Sequence, residues 1–180
     1  MNREILKSQK YVSSILSAVM FVLVMCLGGC GGSGGYSNEP LYPDQINTIY
    51  VKMFDNQGMR RGVEYKLSEA LAKRIEVETP YKIVTSMDRA DTVISGYISG
   101  IGETVLTTER QTGQPLEKEV ELRVVVNWKN LKTGEFLIEN MPVSSSASYS
   151  EWLSQSFDYA SAEASNKLAR RIVQLMEKPW

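Results

Sequence analysis

Histidine is missing from all 180 residues, and cysteine occurs only twice, at Cys26 and Cys30. The first absence removes the commonest general base and the commonest zinc ligand together. The second leaves residues 31–180 without a thiol or a disulfide, so any fold there is held by its core alone. No strong charge of one sign stands out, with 20 Lys plus Arg against 21 Asp plus Glu. That balance argues against nucleic acid as a general partner. Within residues 41–180 no phosphate-cradling G-x-G-x-x-G run occurs, and Gly100-Ile101-Gly102 sits inside a strand-like segment. No loop has the carboxylate spacing of a calcium site, so neither a metal nor a cofactor is expected. Ser144-Ser145-Ser146 has no histidine to activate it, and Asp88 with Asp91 reads as a polar turn. A hydrolytic nucleophile needs an adjacent base. The sequence therefore reads as a non-enzyme.

What is present begins with a seventeen-residue apolar run, Tyr11 to Leu27, preceded by Arg3, Lys7 and Lys10. Basic residues before a run of this length have the form of a secretory signal. The run ends on Leu27-Gly28-Gly29-Cys30, which resembles the bacterial lipobox: small residues admit the extended backbone to a peptidase, and the thiol accepts a diacylglycerol. The alternative, an uncleaved anchor, would only just span a bilayer. The expected organisation is a signal peptide over 1–29, a lipidated Cys30 with a Gly/Ser tether over 30–40, and a single domain over 41–180. The tether has an r.m.s. span of about 18 Å and a limit of about 35 Å. Loss of residues 1–29 leaves a formal charge of about −3. Gly31, where aspartate would signal inner-membrane retention under the enterobacterial rule, points to the outer membrane.

The remaining 140 residues suffice for one buried core. Ile46 to Phe54 alternates as a strand, and Asp55-Asn56-Gln57-Gly58 reads as a turn. Val63, Leu67, Ala70, Leu71 and Ile75 recur at helical spacing until Thr79-Pro80 stops them. Strands are expected over Tyr81 to Ser86, over Thr92 to Glu109 with a bulge at its glycines, and over Leu116 to Lys129. In the last of these Val120, Leu122, Val124, Val126 and Trp128 share one face. A further strand, Glu135 to Tyr149, is expected to break near Met141-Pro142. Phe157, Ala160, Ala164, Leu168, Ile172 and Met176 mark a final helix. The fold class is thus α+β, order β-α-β-β-β-β-α, with two helices on one face of a mostly antiparallel sheet. The other sheet face is left half-covered.

Two features suit binding. The hairpin tip from Arg110 to Lys118, with Arg123 further along, offers cations for paired bonds to a phosphate, or else a solvated turn. The loop around Trp152 offers an aromatic for an interface, or else a lid over the core.

The run of residues also resembles a family. Gly35-Tyr36, Thr48-Ile49-Tyr50-Val51-Lys52-Met53-Phe54, Arg60-Arg61-Gly62-Val63-Glu64, Ala90-Asp91-Thr92-Val93 with Gly96, and Trp128-Lys129 with Thr133-Gly134-Glu135 look like the LPS-assembly lipoproteins of LptE type, over roughly Tyr36 to Met176. The resemblance implies an outer-membrane lipoprotein seated in the LPS translocon β-barrel, with the barrel protein and LPS as partners. It matches Arg110 to the family's basic LPS contact near the hairpin, while the stretch between Ser144 and Ser165 offers no second basic residue. The same pattern also resembles periplasmic lipoprotein activators of peptidoglycan synthases and curli-assembly proteins. A lipid carrier is a third reading.

Overall fold

The computed structural model describes residues 40–178. The expected signal peptide, Cys30 and the expected tether up to Glu39 lie outside the described residues. In chain order the elements are β1 (Thr48–Val51), β2 (Asp55–Asn56), α1 (Val63–Glu78), β3 (Lys82–Ile83), β4 (Thr92–Thr108), β5 (Pro115–Asn130), β6 (Phe136–Tyr149) and α2 (Phe157–Leu175). Short 3-10 turns occupy Met87–Arg89 and Glu151–Leu153.

One sheet carries the strands in the order β3-β1-β4-β5-β6, with β2 also pairing β4. The β4-β5-β6 ladder is antiparallel, as expected, but β1, β2 and β3 pair in parallel. The sheet is therefore mixed. Parallel neighbours arise because α1 carries the chain back from β1 to β3, a crossover that a hairpin cannot make. Asp55–Asn56, expected as a turn, instead adds a two-residue strand against Tyr97 and Ile98.

The core forms where the helices cover one sheet face. Val120, Leu122, Val124, Val126 and Trp128 of β5 are all buried beneath them. From α2 come Ala160, Ala164, Leu168, Ala169 and Ile172; from α1 come Leu67, Leu71 and Ile75. Small residues let α2 approach closely, and the Ser145 hydroxyl donates to the Ala164 carbonyl at 2.7 Å. Lys66 in the first turn of α1 reaches the Asp158 carboxylate in the first turn of α2 at 2.8 Å. The two helices thus run side by side in the same direction.

Glycines and bulges shape the strands. A Cβ on Gly96 would lie 2.2 Å from the Val125 carbonyl oxygen and 2.7 Å from the Phe54 ring, so the ring occupies the space a side chain would fill. The expected bulge in β4 falls between Ile98 and Gly100. The expected interruption of β6 is a bulge just before Met141, where Asn140 takes φ 47° and donates its N–H to the Asn127 side-chain oxygen at 2.7 Å. Pro142 sits in β6, the strand at the sheet edge, where a missing N–H is tolerated. Two cations of α2 guard that edge: Lys167 donates to the Ser146 carbonyl at 3.1 Å and Arg171 to the Ser144 carbonyl. Capped carbonyls make a poor template for another strand.

The domain has two distinct ends. Leu41 lies against Lys178 after α2, its carbonyl accepting the Lys178 N–H at 2.8 Å; the next residue, Tyr42, packs edge-on to Tyr81, which meets Trp128 near the β5–β6 turn. The β4–β5 turn lies at the opposite end, since the 16 residues of β5 span about 50 Å.

Candidate functional site

Beyond Ile98, β4 loses its β2 neighbour and continues with β5 as a long arm. The helices start at this distal end, and the Glu151–Leu153 turn folds across it. The base of the arm holds a cluster of paired charges. Lys118 Nζ lies 2.7 Å from Glu151 and 3.8 Å from Glu103. Arg60 binds the other Glu103 oxygen at 2.6 Å and lays its guanidinium 3.8 Å over the Phe157 ring. The Tyr149 hydroxyl donates to Glu103 at 2.8 Å. One carboxylate, Glu103, therefore joins β4, β5, β6 and the approach to α1.

The electrostatics follow from these contacts. The bond to Glu151 holds the Lys118 pKa above its ordinary value. Burial, then the bond to Glu103, pushes the Tyr149 phenol up, so it remains a donor. At the start of α1, burial would raise the Glu64 pKa, but bonds from its own N–H, Asn56 and Gly62 outweigh it and lower the value. Charges satisfied in this way rigidify the arm. Among the described residues no three His, Cys, Asp or Glu side chains gather as metal ligands.

The four residues singled out from sequence occupy different places. Arg110 is exposed in the β4–β5 turn, whose Gly113 N–H donates to the Glu109 carbonyl at 2.9 Å. Arg110 has no side-chain hydrogen bond or ion pair among the described residues. Lys118 and Trp152 come together at the base of the arm, since Lys118 pairs with the residue preceding Trp152. Trp152 is 66 % exposed and Leu153 71 % exposed. Trp152 lines a shallow groove of about 420 Å³ with Gln114, Pro115 and Glu151. Arg123 faces the other way, because it lies five positions, an odd step, along the strand from Lys118. Its guanidinium lies over Gly100 on the uncovered sheet face, 3.6 Å from Glu121.

Sequence reasoning missed the Arg60–Glu103–Tyr149 part of the cluster. No spacing joins residues 43 and 46 positions apart. The only signal was an arginine just before a helix and a glutamate on the buried-side register of a strand.

The family model LptE, described as lipopolysaccharide-assembly, matches residues 46–176. The chain belongs to this family. The matched span runs from the approach to β1 through the end of α2, so the LptE pattern covers the whole fold. No curated protein matches the chain. Among solved structures, it is similar to an uncharacterized lipoprotein B from Nitrosomonas europaea, with TM-score 0.51 and 12 % identity, covering 72 % of this chain and 81 % of that one. It is also similar to a hypothetical protein from Chlamydia trachomatis, with TM-score 0.50 and 11 % identity, covering 71 % and 93 %. Rare lipoprotein B from Shewanella oneidensis matches at TM-score 0.45 and 16 % identity, covering 72 % and 93 %. At such identities the first two establish a shared fold. With the LptE match, the chain is an LPS-assembly lipoprotein by family. No helix among the described residues is long and apolar enough to cross a membrane.

Proposed function

We propose that this protein is anchored through a lipidated Cys30 in the outer membrane and works by docking in LPS assembly, seated in the translocon β-barrel. The observation that carries this reading is the LptE match across the whole fold. The distal end supports it. Val105, Leu106, Trp152 and Leu153 are exposed large apolar residues on or beside the arm. Aromatic and apolar groups left outside a completed core are the kind that interfaces bury. Arg110, free of ion pairs among the described residues, is the cation offered to LPS phosphates, and Arg123 offers a second on the uncovered sheet face. Lys118 contributes through the cluster that fixes the arm and Trp152.

The test is co-purification of the tagged native lipoprotein. Recovery of a β-barrel translocon protein, reduced by Trp152→Ala, is the expected result. Recovery of a penicillin-binding protein instead would give the role to peptidoglycan-synthase regulation.

A further inference from the structure

The uncovered sheet face carries a hollow of about 450 Å³ at the end away from the arm. Its floor is Val93 of β4, only 5 % exposed although it lies on the face away from the helices. Met87 and Phe136 line the hollow as apolar walls, each half-exposed, and neither completes the core. Lys129 pairs with Val93 across β4–β5 and with Phe136 across β5–β6, so the three form one row across the sheet. Lys52, whose N–H donates to the Ile94 carbonyl at 2.9 Å, extends the line of β1 beside that row.

The free polar groups here are mostly donors. Lys52 and Lys129 both line the hollow, and neither ammonium has a hydrogen bond or ion pair among the described residues. Lys129 Nζ lies 5.1 Å over the Phe136 ring, which sets a cation against an apolar wall and leaves its charge uncompensated. The Asn127 side-chain oxygen accepts the Asn140 N–H at 2.7 Å, so the bulge in β6 fixes the orientation of that amide. Its unpaired end is the NH2, again a donor. One carboxylate, Glu139, also lines the hollow, and the two lysines against it leave a net positive charge. Apolar walls with a few convergent polar groups, in a volume of this size, have the form of a small-ligand site. Cations and an amide donor select an anionic head, while an unbranched, flexible methionine adapts its shape to an apolar chain.

We propose that this hollow binds a single-chain amphiphile with an anionic head, its carboxylate or phosphate held by Lys52 and Lys129 and its chain lying on Val93, Met87 and Phe136. Arg123 lies six positions along β5 from Lys129, about 20 Å away, so the site is separate from the cation offered to LPS on the same face. The inference uses neither the lipid anchor nor the barrel and LPS partners of the proposed function.

The experiment uses the full-length lipoprotein in phosphatidylcholine nanodiscs, probed with photoreactive diazirine analogues of dodecanoic acid, dodecyl phosphate and dodecanol. Crosslinked peptides are mapped by mass spectrometry. The anionic probes should crosslink in the segments that hold Met87 and Phe136, and the alcohol at least about tenfold less. Capture of the carboxylate alone would assign the site to fatty acids, and capture of the phosphate alone to phosphorylated single-chain lipids. Excess unlabelled anion of the captured kind should displace its probe from wild type. Joint Lys52→Glu and Lys129→Glu substitution should lower capture by the same factor at unchanged Tm, because neither side chain has an ion pair to lose. Equal capture of the alcohol, capture that survives the charge reversal, or crosslinks confined to other surfaces would overturn the proposal. LPS retention by the double variant should equal wild type; LPS lost together with the probes would make the hollow part of the LPS contact and overturn a separate site.

Discussion

Lys132 Nζ lies 2.6 Å from one carboxylate oxygen of Asp91, while the other accepts the backbone N–H groups of Asn47 and Thr48 at 2.9 Å each. One side chain thus joins the entry to β1, the entry to β4 and the β5–β6 turn. Lys132 first, and the backbone donors with it, hold the Asp91 pKa well below the carboxylate range, against the opposing pull of burial. A lowered folded pKa means the stabilisation is complete above the unfolded value of about 3.9 and is lost as pH falls toward the folded one. Asp91→Asn should cost about 2 kcal/mol at pH 7 and flatten the loss of stability below about pH 4. Urea titrations at pH 7 and pH 3 check both. Lys132→Ala, removing a side chain that is 68 % exposed, should cost under about 1 kcal/mol.

Gly96 is required by its neighbours. Alanine there would collide with the Val125 carbonyl and the Phe54 ring, which is itself buried. Overpacking against backbone leaves little room to relax, so Gly96→Ala should destabilise by about 3 kcal/mol. Gly100→Ala meets only the movable Arg123 side chain at 3.2 Å and should cost far less. Thermal denaturation of the two variants separates them, and similar losses would contradict the packing argument.

A stabilising change is available next to Asp91. The Thr92 hydroxyl is buried with no hydrogen-bond partner among the described residues. Valine keeps the branched shape and removes the unpaired oxygen. Thr92→Val should raise stability by about 1 kcal/mol and Tm by a few degrees. A lower Tm would mean that the hydroxyl has a partner.

Much of this architecture can be read from particular residues. Val120 to Trp128 alternate because one face of β5 is buried and the other is not, and the α2 stripe repeats because one side of that helix meets the sheet. The parallel edge was not legible. β1 is four residues long, and nothing in Thr48–Val51 says whether its neighbour arrives by hairpin or by crossover. The polarity of Asp55–Asn56 signals a turn, yet the backbone groups pair with β4 whatever the side chains are. At the distal end the exposure of Arg110 follows from its place in a turn. The pairing of Lys118 with Glu103 and Glu151 does not, because several other glutamates lie within similar sequence distance.

The proposed anchor has a direct chemical test. Metabolic labelling with a clickable fatty acid should mark the wild-type chain and leave Cys30→Ala unmarked, since Cys26 lies within the expected signal peptide. The unmarked variant should fractionate away from the outer membrane. Equal labelling of both chains would rule out Cys30 as the attachment site.

Arg110 and Lys118 lie at opposite ends of the β4–β5 hairpin arm, and the difference in their surroundings makes them a useful pair. Charge reversal at Lys118 would set a third carboxylate beside Glu103 and Glu151, so Lys118→Glu should loosen the arm and lower Tm. Arg110→Glu changes charge at an exposed turn and should leave stability within about half a kcal/mol of wild type. If Arg110 meets LPS phosphates, that variant should lose LPS in a pull-down at unchanged stability, with the loss shrinking as salt rises. LPS retention equal to wild type would remove Arg110 from the contact and leave Arg123, on the uncovered sheet face, as the cation to test next.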